Sequence, residues 1–347
     1  MTTRRWRDWC WDRGSLRRLG YWLVALAVAG GLGGCVMISM PGHNYRGPLP
    51  ALTADETALA AMLRTDLATL AGTIGERNWR QPAKLKEAAD FLTRELTATG
   101  YTVRRLPYRD GDGEYENLEA ELPGTAAPGE IVVVGGHYDS VEGTPGANDN
   151  GSGAVATLAL ARRFAGKPAG RTLRFVMFVN EEPPFFQRET QGSLVYAKAC
   201  QARGDRIVGM LSLETLGYFR DEPGTQQYPE VVRWFYPDTG NFIAFVGNVQ
   251  SRRLVRTSIA SFRRHTLFPS EGIATFGFIE GIDWSDHASF WQCGYPGLMV
   301  TDTAVFRYPH YHQPTDTPDK VDYDRLARVV AGIERVLREL AEPTTKL

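Results

Sequence analysis

The chain has 347 residues, 43% of them hydrophobic and 23% charged, and its formal net charge at pH 7 is −1. These values are ordinary for a globular protein, and the length is sufficient for one large α/β domain with additional segments. A net charge close to zero gives no reason to expect nucleic acid as a partner. The four cysteines do not form C-x-x-C pairs, which argues against a zinc ribbon and against a dense disulfide framework.

Residues 1–40 have the pattern of an export signal. Six arginines within the first 18 residues precede an apolar run at positions 21–36, which is the order found in signal peptides. Leu32-Gly33-Gly34-Cys35 fits the pattern after which bacterial lipoproteins are cleaved and lipidated on cysteine. An uncleaved membrane anchor is the alternative, because this segment is just long enough to span a bilayer. Both interpretations predict export, with the rest of the chain facing the periplasm or the cell exterior, since the arginines stay inside.

A segment rich in proline and glycine, residues 41–52, is predicted as a linker to a single catalytic domain at 53–342. Thr53 and Glu56 have the spacing of a capping box, which predicts that a helix begins there and extends to about residue 70.

Beyond this helix, short apolar runs alternate with segments of helical periodicity. The predicted strands cover residues 101–106, 115–122, 131–134, 172–179, 207–213, 242–246, 273–279 and 298–301, and the predicted helices cover residues 81–99, 154–164, 191–202, 252–262 and 323–340. This alternation, without internal repeats, predicts the α/β class with a mostly parallel central sheet and helices on both faces.

Candidate metal ligands stand at the ends of predicted strands or in the loops after them: His137, Asp149, Glu182, Glu214 and His312. Ligands of an open α/β sheet bind at the carboxyl ends of its strands, so we expect these side chains to meet. Imidazole and carboxylate together suit zinc, with cobalt or manganese as alternatives. Five protein ligands exceed the needs of one catalytic zinc, and they suit two metal ions about 3.5–4 Å apart that share one carboxylate.

Two further carboxylates have predicted roles beside these ligands. Glu181, adjacent to Glu182, is left over and is predicted to be the general base that takes a proton from a metal-activated water. Asp139 lies two residues after His137 and is predicted to fix the orientation of its ring, so that the other ring nitrogen can bind metal.

Four motifs occur in an order that resembles family twenty-eight of the metallopeptidases, the di-zinc exopeptidases that include secreted bacterial leucyl aminopeptidases. They are Gly-Gly-His137-Tyr-Asp139-Ser, Asn148-Asp149-Asn150-Gly-Ser-Gly, Asn180-Glu181-Glu182 and Tyr311-His312-Gln-Pro-Thr-Asp316-Thr. The likeness covers nearly all of residues 53–340 and includes Gly75-Glu76-Arg77-Asn78. It implies the zinc-exopeptidase fold, of the phosphorylase/hydrolase-like type, and two Zn²⁺ ions per chain.

By this resemblance, His137 and Glu214 would hold one zinc ion, Glu182 and His312 the other, and Asp149 both. Glu214 departs from the aspartate that many members carry at this position, although glutamate also supplies a carboxylate oxygen. The resemblance further implies a cis peptide bond between Asp149 and Asn150.

The implied activity is that of a metallo-aminopeptidase acting on peptides with a free N-terminus, attached to a membrane through the N-terminal segment. The alternatives are a single-zinc glutaminyl cyclase-like acyltransferase on a similar fold, a carboxypeptidase of the same family, and a non-catalytic membrane-anchored binding domain. The complete five-ligand set argues against the cyclase, and the presence of Glu181 argues against a non-catalytic domain.

Some residues near these motifs have no decided role. His310 is predicted not to be a ligand, because the family pattern places the ligand directly after tyrosine, at His312. The sequence leaves open whether His310, His287, Tyr295 and Arg307 contact substrate or only pack inside the domain.

Overall fold

The computed structural model describes residues 18, 20–22, 34, 37–230 and 232–345. The chain divides into two compact units, Met1–Ser39 and Met40–Leu347, and the second contains the whole sheet. Cys35 and most of the predicted signal segment lie outside the described residues. Within the described residues, no helix has the length and apolar character needed to cross a membrane.

The strands of the described chain form one mixed sheet in the order β1-β2-β4-β3-β5-β8-β6-β7. They are β1 (Val103–Asp110), β2 (Gly113–Leu122), β3 (Ala127–His137), β4 (Arg171–Phe178), β5 (Arg206–Glu214), β6 (Ile243–Asn248), β7 (Ser270–Thr275) and β8 (Gly297–Thr301). The central strands β4, β3, β5 and β8 are parallel, as predicted. Antiparallel pairing occurs only further out among these strands, where β2 joins β4, β1 joins β2 and β6 joins β8.

Helices cover both faces of this sheet. They are α1 (Ala54–Leu67), α2 (Pro82–Ala98), α3 (Gly153–Phe164), α4 (Gly192–Arg203), α5 (Arg252–His265), α6 (His287–Gln292) and α7 (Tyr323–Leu340). Successive residues of a strand point to opposite faces. Accordingly, Val132 and Val134 pack with α1, α2, α3, α5 and α7, whereas Val133 packs with α4 and α6. The hydrophobic clusters of the described residues are made of residues 40 onward, so the Met40–Leu347 unit contains an extensive hydrophobic core.

Some predicted boundaries are confirmed and others are wrong. The capping box holds, because the Thr53 hydroxyl accepts the Glu56 N–H while the Glu56 carboxylate accepts the Thr53 N–H. The strand predicted at 273–279 instead spans Ser270–Thr275, and the apolar residues after it leave the sheet, with Phe276 and Phe278 stacked on each other and exposed. Helix α6 was not predicted because six residues are too few to show helical periodicity.

The predicted linker, residues 41–52, contains neither helix nor strand. It nevertheless contacts the sheet edge: Asn44 accepts the backbone N–H of Ser270 and donates to the carboxylate of Glu271. The Arg263 guanidinium donates to the carbonyl oxygens of Pro41 and Gly42. The segment is therefore attached to the domain, while the domain boundary at residue 53 stays a prediction.

A buried arginine at the start of β4 holds the C-terminal end of α7. The Arg171 guanidinium donates to the Glu130 carboxylate at 2.6 Å. Its other nitrogens donate to carbonyl oxygens at 2.7–3.1 Å, those of Leu340, Glu342, Pro343 and Thr345. The last carbonyl groups of a helix have no partner within the helix, so Arg171 supplies a donor for the Leu340 carbonyl and also holds the segment that follows the helix.

We expect Arg171→Met to lower the free energy of unfolding by about 3 kcal/mol, because it removes the donor to the buried Leu340 carbonyl and to three partly buried carbonyl groups, together with one of the two arginines that pair with Glu130. Urea denaturation followed by circular dichroism measures this change. Arg206→Met is the matched control: Arg206 pairs with the same Glu130 at 2.8 Å, but its side chain is 71% exposed. An exposed ion pair contributes about 1 kcal/mol or less, so equal losses from the two substitutions would contradict this interpretation of Arg171.

Candidate metal centre

The predicted ligands come together because neighbouring parallel strands have their carboxyl ends on the same side of the sheet. His137 is the last residue of β3 and Glu214 the last residue of β5, and these strands are adjacent. Glu181 and Glu182 follow the end of β4, on the other side of β3. His312 is supplied by the long loop between β8 and α7.

Asp149 lies between the two histidines with one oxygen toward each. Its Oδ1 is 3.6 Å from His137 Nε2, and its Oδ2 is 3.1 Å from His312 Nε2. Glu214 Oε2 lies 3.5 Å from His137 Nε2, and Glu182 Oε2 lies 3.3 Å from His312 Nε2. The structure thus groups the five residues into two triads that share Asp149, and the candidate ligand atoms of each triad lie within 4.8 Å of one another.

These triads fit zinc on two counts. Donor atoms at about 2.0–2.2 Å from a tetrahedral zinc ion are roughly 3.3–3.6 Å apart, which matches the spacing of the cluster. Several buried donor atoms also lack a hydrogen-bond partner among the described residues, and they are His137 Nε2, His312 Nε2, Asp149 Oδ2 and Glu182 Oε1. Buried polar atoms are normally paired, so unpaired atoms that converge on one place indicate a missing cation.

Asp139 connects the first histidine to the loop that carries the adjacent glutamates. Its Oδ1 lies 3.4 Å from His137 Nδ1. The same carboxylate accepts the backbone N–H groups of Glu181 and Glu182, both at 3.3 Å. This position suits the orienting role predicted for Asp139. The two hydrogen bonds also hold the backbone from which the side chains of Glu181 and Glu182 extend.

The loop that carries Asp149 is held by carboxylates that the sequence analysis did not single out. Asp316 accepts the backbone N–H groups of Asn148 and Asp149 at 2.8 and 3.0 Å and the Tyr308 hydroxyl at 2.6 Å. Asp302 accepts the side-chain amide of Asn148 at 2.9 Å. The position of Asp316 in the same motif as His312 was the sequence signal that could have indicated its role.

The Asp149–Asn150 peptide bond is cis, as the resemblance implied.

Glu214 has a partner that the sequence analysis also missed. The Ser285 hydroxyl donates to Glu214 Oε2 at 2.7 Å, and Ser285 in turn contacts the Ser212 hydroxyl. This contact holds the longer glutamate side chain near His137. The polar residues 285–287, which follow a predicted strand, were the sequence signal that could have pointed to Ser285.

The electrostatics of the cluster show an excess of buried negative charge. Burial raises the pKa of Glu181 well above its ordinary value and raises that of Glu182 to about 7. Although burial lowers the pKa of a histidine, the carboxylates of Asp149 and Glu182 raise the pKa of His312 to about 10. All three shifts favour an added positive charge, which divalent cations would supply.

The residues whose roles the sequence left open lie outside the two triads. His310 contacts the Thr315 hydroxyl, and the Tyr295 hydroxyl donates to the Asp205 carbonyl. The buried Arg307 donates to the carbonyl groups of Gly240 and Phe242. These contacts hold loops and strand ends in place.

His287 and Asp286 are both buried. His287 contacts the Ile282 carbonyl at 2.8 Å through Nε2, and its ring meets Trp291 edge-on. Burial lowers the pKa of His287 to about 4, so its ring is neutral at pH 7. Burial raises the pKa of Asp286 to about 7.

An apolar pocket opens beside Glu214 and Tyr311. Its volume is about 110 Å³, and its wall includes Tyr228, Phe242, Ile273, Ile282, Met299 and Phe306. A cavity of about 150 Å³ with similar walls accommodates benzene, so this pocket is of the size needed for a large apolar side chain.

A sequence profile of peptidase family M28 matches residues 117–337. The chain belongs to peptidase family M28. It is 35% identical over 277 residues to the uncharacterized protein YfbL of Escherichia coli, covering 77% of this chain and 84% of YfbL. It is 30% identical over 281 residues to leucine aminopeptidase 1 of Arthroderma otae, covering 74% of this chain and 68% of the relative.

Solved structures of other proteins share the fold of this M28 member. A zinc aminopeptidase from Bacillus subtilis superposes with a TM-score of 0.65 at 15% identity, covering 83% of this chain and 96% of that one. A glutaminyl cyclase from Fimbriiglobus ruber superposes with a TM-score of 0.59 at 19% identity, covering 85% and 97%. At these identities the likeness establishes the zinc-exopeptidase fold, and the two activities share it.

Proposed function

We propose that this M28 peptidase is a zinc-dependent aminopeptidase that releases N-terminal residues from peptides. The observation that carries the proposal is the pair of buried triads sharing Asp149, with unpaired donor atoms in both. Membership of the family and similarity to a leucine aminopeptidase support the same activity.

Two zinc ions per chain are the finer part of this proposal. His137 and Glu214 would hold one ion, Glu182 and His312 the second, and Asp149 both. When bound, zinc lowers the pKa of water and polarises the scissile carbonyl. The proton transfers of the reaction would be carried out by a side chain of the protein.

Glu181 is the proposed general base. It lies beside the first triad, with Oε2 3.7 Å from His137 Nε2, and it belongs to neither group of candidate ligands. Burial raises its pKa, so its carboxylate takes up a proton readily. It would accept a proton from the attacking water and return it to the leaving amine. The N–H contact with Asp139 keeps its backbone in place during both transfers.

The glutaminyl cyclase alternative is less well supported by the site. A single-zinc enzyme needs only the triad of Asp149, Glu182 and His312. Here His137 and Glu214 complete a second group around the same Asp149, and Ser285 fixes the glutamate in it. This second group favours hydrolysis with two metal ions.

The first test separates the adjacent glutamates. Glu181→Gln should lower turnover of an aminoacyl-anilide by about 10²–10⁴-fold, because the amide cannot accept the proton. Metal content measured by mass spectrometry should stay at the wild-type value, because all five candidate ligands remain.

Glu182→Gln is the matched variant, since it makes the same chemical change one residue later. It should reduce metal content, because an amide is a poorer ligand than a carboxylate, and added zinc should restore part of the activity. Zinc rescue of Glu181→Gln would mean that the two roles are exchanged, and unchanged turnover in both variants would contradict the catalytic proposal.

The apolar pocket predicts the side chain that is released. Burying a leucyl or phenylalanyl side chain contributes about 1.5–3 kcal/mol, so kcat/KM for these anilides should exceed that for alanyl-anilide by roughly 10–100-fold. Lysyl-anilide is the informative comparison, because Glu271 and Glu280 also line the pocket. A preference for lysine would show that a carboxylate sets specificity and that the apolar wall does not.

We further propose that the domain is exported and tethered to a membrane, facing the periplasm or the cell exterior. The arginine-rich start, the apolar segment and Leu32-Gly33-Gly34-Cys35 support this proposal. A lipid on Cys35 and an uncleaved anchor are the two possible forms of attachment.

Cys35→Ala distinguishes these forms in cells that produce the full-length chain. If the protein is a lipoprotein, the variant should lose processing and lipid labelling, both visible by mass spectrometry. Unchanged processing and membrane attachment would exclude the lipid and favour the anchor. Recovery of the wild-type chain in the soluble cytosolic fraction would contradict export in either form.

A further inference from the structure

Strand β7 is the last strand in the order of the sheet and contributes to the wall of the apolar pocket. Glu271, Gly272 and Ile273 of this strand line the pocket. Ile273 belongs to a hydrophobic cluster that also contains the pocket residues Phe242 and Met299. Side chains two residues apart on a strand point to the same face, so Glu271 is directed to the same side of the sheet as Ile273. A carboxylate therefore stands on the pocket face of β7.

A tyrosine of the pocket wall supports this position of Glu271. Tyr236 also lines the pocket, and its hydroxyl donates to the Gly272 carbonyl at 2.9 Å. Burial first, and then the negative charge of Glu271, raises the pKa of Tyr236. The charge of Glu271 therefore acts on groups of the pocket wall.

The linker that precedes the domain supplies polar partners for this carboxylate. The Asn44 amide donates to Glu271 Oε1 at 2.8 Å, and Arg46 Nη2 lies 3.7 Å from the same oxygen. The side chain of Glu271 is 15% exposed, so water is a poor substitute for these partners. Burial raises the pKa of Glu271, while Arg263 and then Arg46 favour its charged form. The linker therefore helps to keep this carboxylate ionised and hydrogen-bonded.

The linker is fixed to β7 at further points. Asn44 Oδ1 accepts the backbone N–H of Ser270 at 2.9 Å. Met40, directly before the linker, packs on the opposite face of the strand, because a Cβ atom placed on Gly272 would lie 2.9 Å from Met40 Cγ. Arg263 donates both to the Met40 carbonyl and to the Ser270 carbonyl, at 3.4 and 2.6 Å. The linker thus has a defined position against the strand that forms the pocket wall.

We propose that the linker takes part in substrate selection: Asn44 and Arg46 bind the Glu271 carboxylate, so that the pocket selects apolar N-terminal side chains over basic ones. Without these partners the Glu271 oxygen would lack a donor, and a lysyl ammonium group in the pocket would supply one. Asn44 and Arg46 act through Glu271 and are positioning residues. Their role rests on the proposed aminopeptidase function, and both lie outside residues 117–337, which the family profile matches.

The test compares two substrates of the full-length chain purified in detergent. For the wild type, kcat/KM should be higher for leucyl-anilide than for lysyl-anilide, and the reverse order would overturn the proposal. The variant Asn44→Asp/Arg46→Gln keeps an acceptor for the Ser270 N–H but loses the donor and the positive charge beside Glu271.

This double variant should raise the ratio of lysyl to leucyl kcat/KM by roughly 10-fold, which is the contribution of about one hydrogen bond to a charged group. The change should arise mainly from a lower KM for the lysyl substrate, while leucyl hydrolysis should change little. Arg46→Gln alone alters only a side chain that is 74% exposed, and it should change the ratio in the same direction. An unchanged ratio in both variants would overturn the proposal.

Asn248→Asp/Arg94→Gln is the matched control, since it makes the same chemical changes outside the pocket lining. Asn248 likewise accepts a backbone N–H, that of Ser251 at 2.8 Å, and the side chain of Arg94 is 64% exposed. This control should keep the wild-type ratio. An equal rise in the control would show a general effect of charge and contradict a role of the linker.

Glu271→Gln provides a second check, because it removes the carboxylate through which the linker acts. When Glu271→Gln is present, adding Asn44→Asp/Arg46→Gln should no longer alter the ratio. A rise that persists would assign the effect to another group, such as Glu280 of the same pocket wall, and would overturn the proposal.

A binding measurement separates this proposal from the proposed function. Calorimetric titration with leucine and with lysine, the expected products, examines the pocket without turnover. Lysine should bind more tightly to Asn44→Asp/Arg46→Gln than to the wild type, and leucine should not. A chain that hydrolyses no anilide but shows this difference would contradict the aminopeptidase function and still support the role of the linker. Lysine binding that is equal in the two proteins would overturn that role, whether or not anilides are hydrolysed.

Discussion

The structure depends on the burial of several carboxylates around Asp149 without enough positive charge among the described side chains to balance them. Desolvation of these groups is costly, as the raised pKa of Glu182 shows. A bound metal cation would offset this cost, and both groups of residues that could hold one include Asp149. Metal binding and stability of this edge of the sheet are therefore linked, since ligands that bind only the folded chain stabilise it.

Asp149, which the two triads share, keeps its position only if its loop cannot move. Asp316 holds the backbone on both sides of Asn148, and Asp302 holds the Asn148 side chain, so the loop is fixed from two directions. Asp139 does the same for the backbone that carries Glu181 and Glu182. Carboxylates thus act here in two ways: some face the cluster, and others accept backbone N–H groups behind it, where their charge is spread over several hydrogen bonds.

The mixed topology of the sheet sets where the candidate metal centre and the apolar pocket lie. The parallel central strands finish at the same end of the sheet and bring the candidate ligands together there. Strand β6 runs in the opposite direction, so its first residues lie at this end, and Phe242, just before β6, lines the apolar pocket. One reversal of strand direction therefore contributes a wall of the pocket beside the candidate ligands.

The sequence by itself determined the α/β class and most strand and helix positions, and its motifs predicted seven site residues, because hydrophobic periodicity and short motifs are local properties of the chain. It also indicated the cis bond at Asp149–Asn150 through its resemblance to a family. Only the tertiary structure decided which side chains support the site: Asp316, Asp302 and Ser285 bind partners that are 168, 154 and 71 residues away in the sequence, so a local pattern does not identify those partners. The direction of β6, the end of β7 at Thr275 and the contact of Asn44 with Glu271 were decided in the same way, since pairing partners and packing depend on the whole sheet.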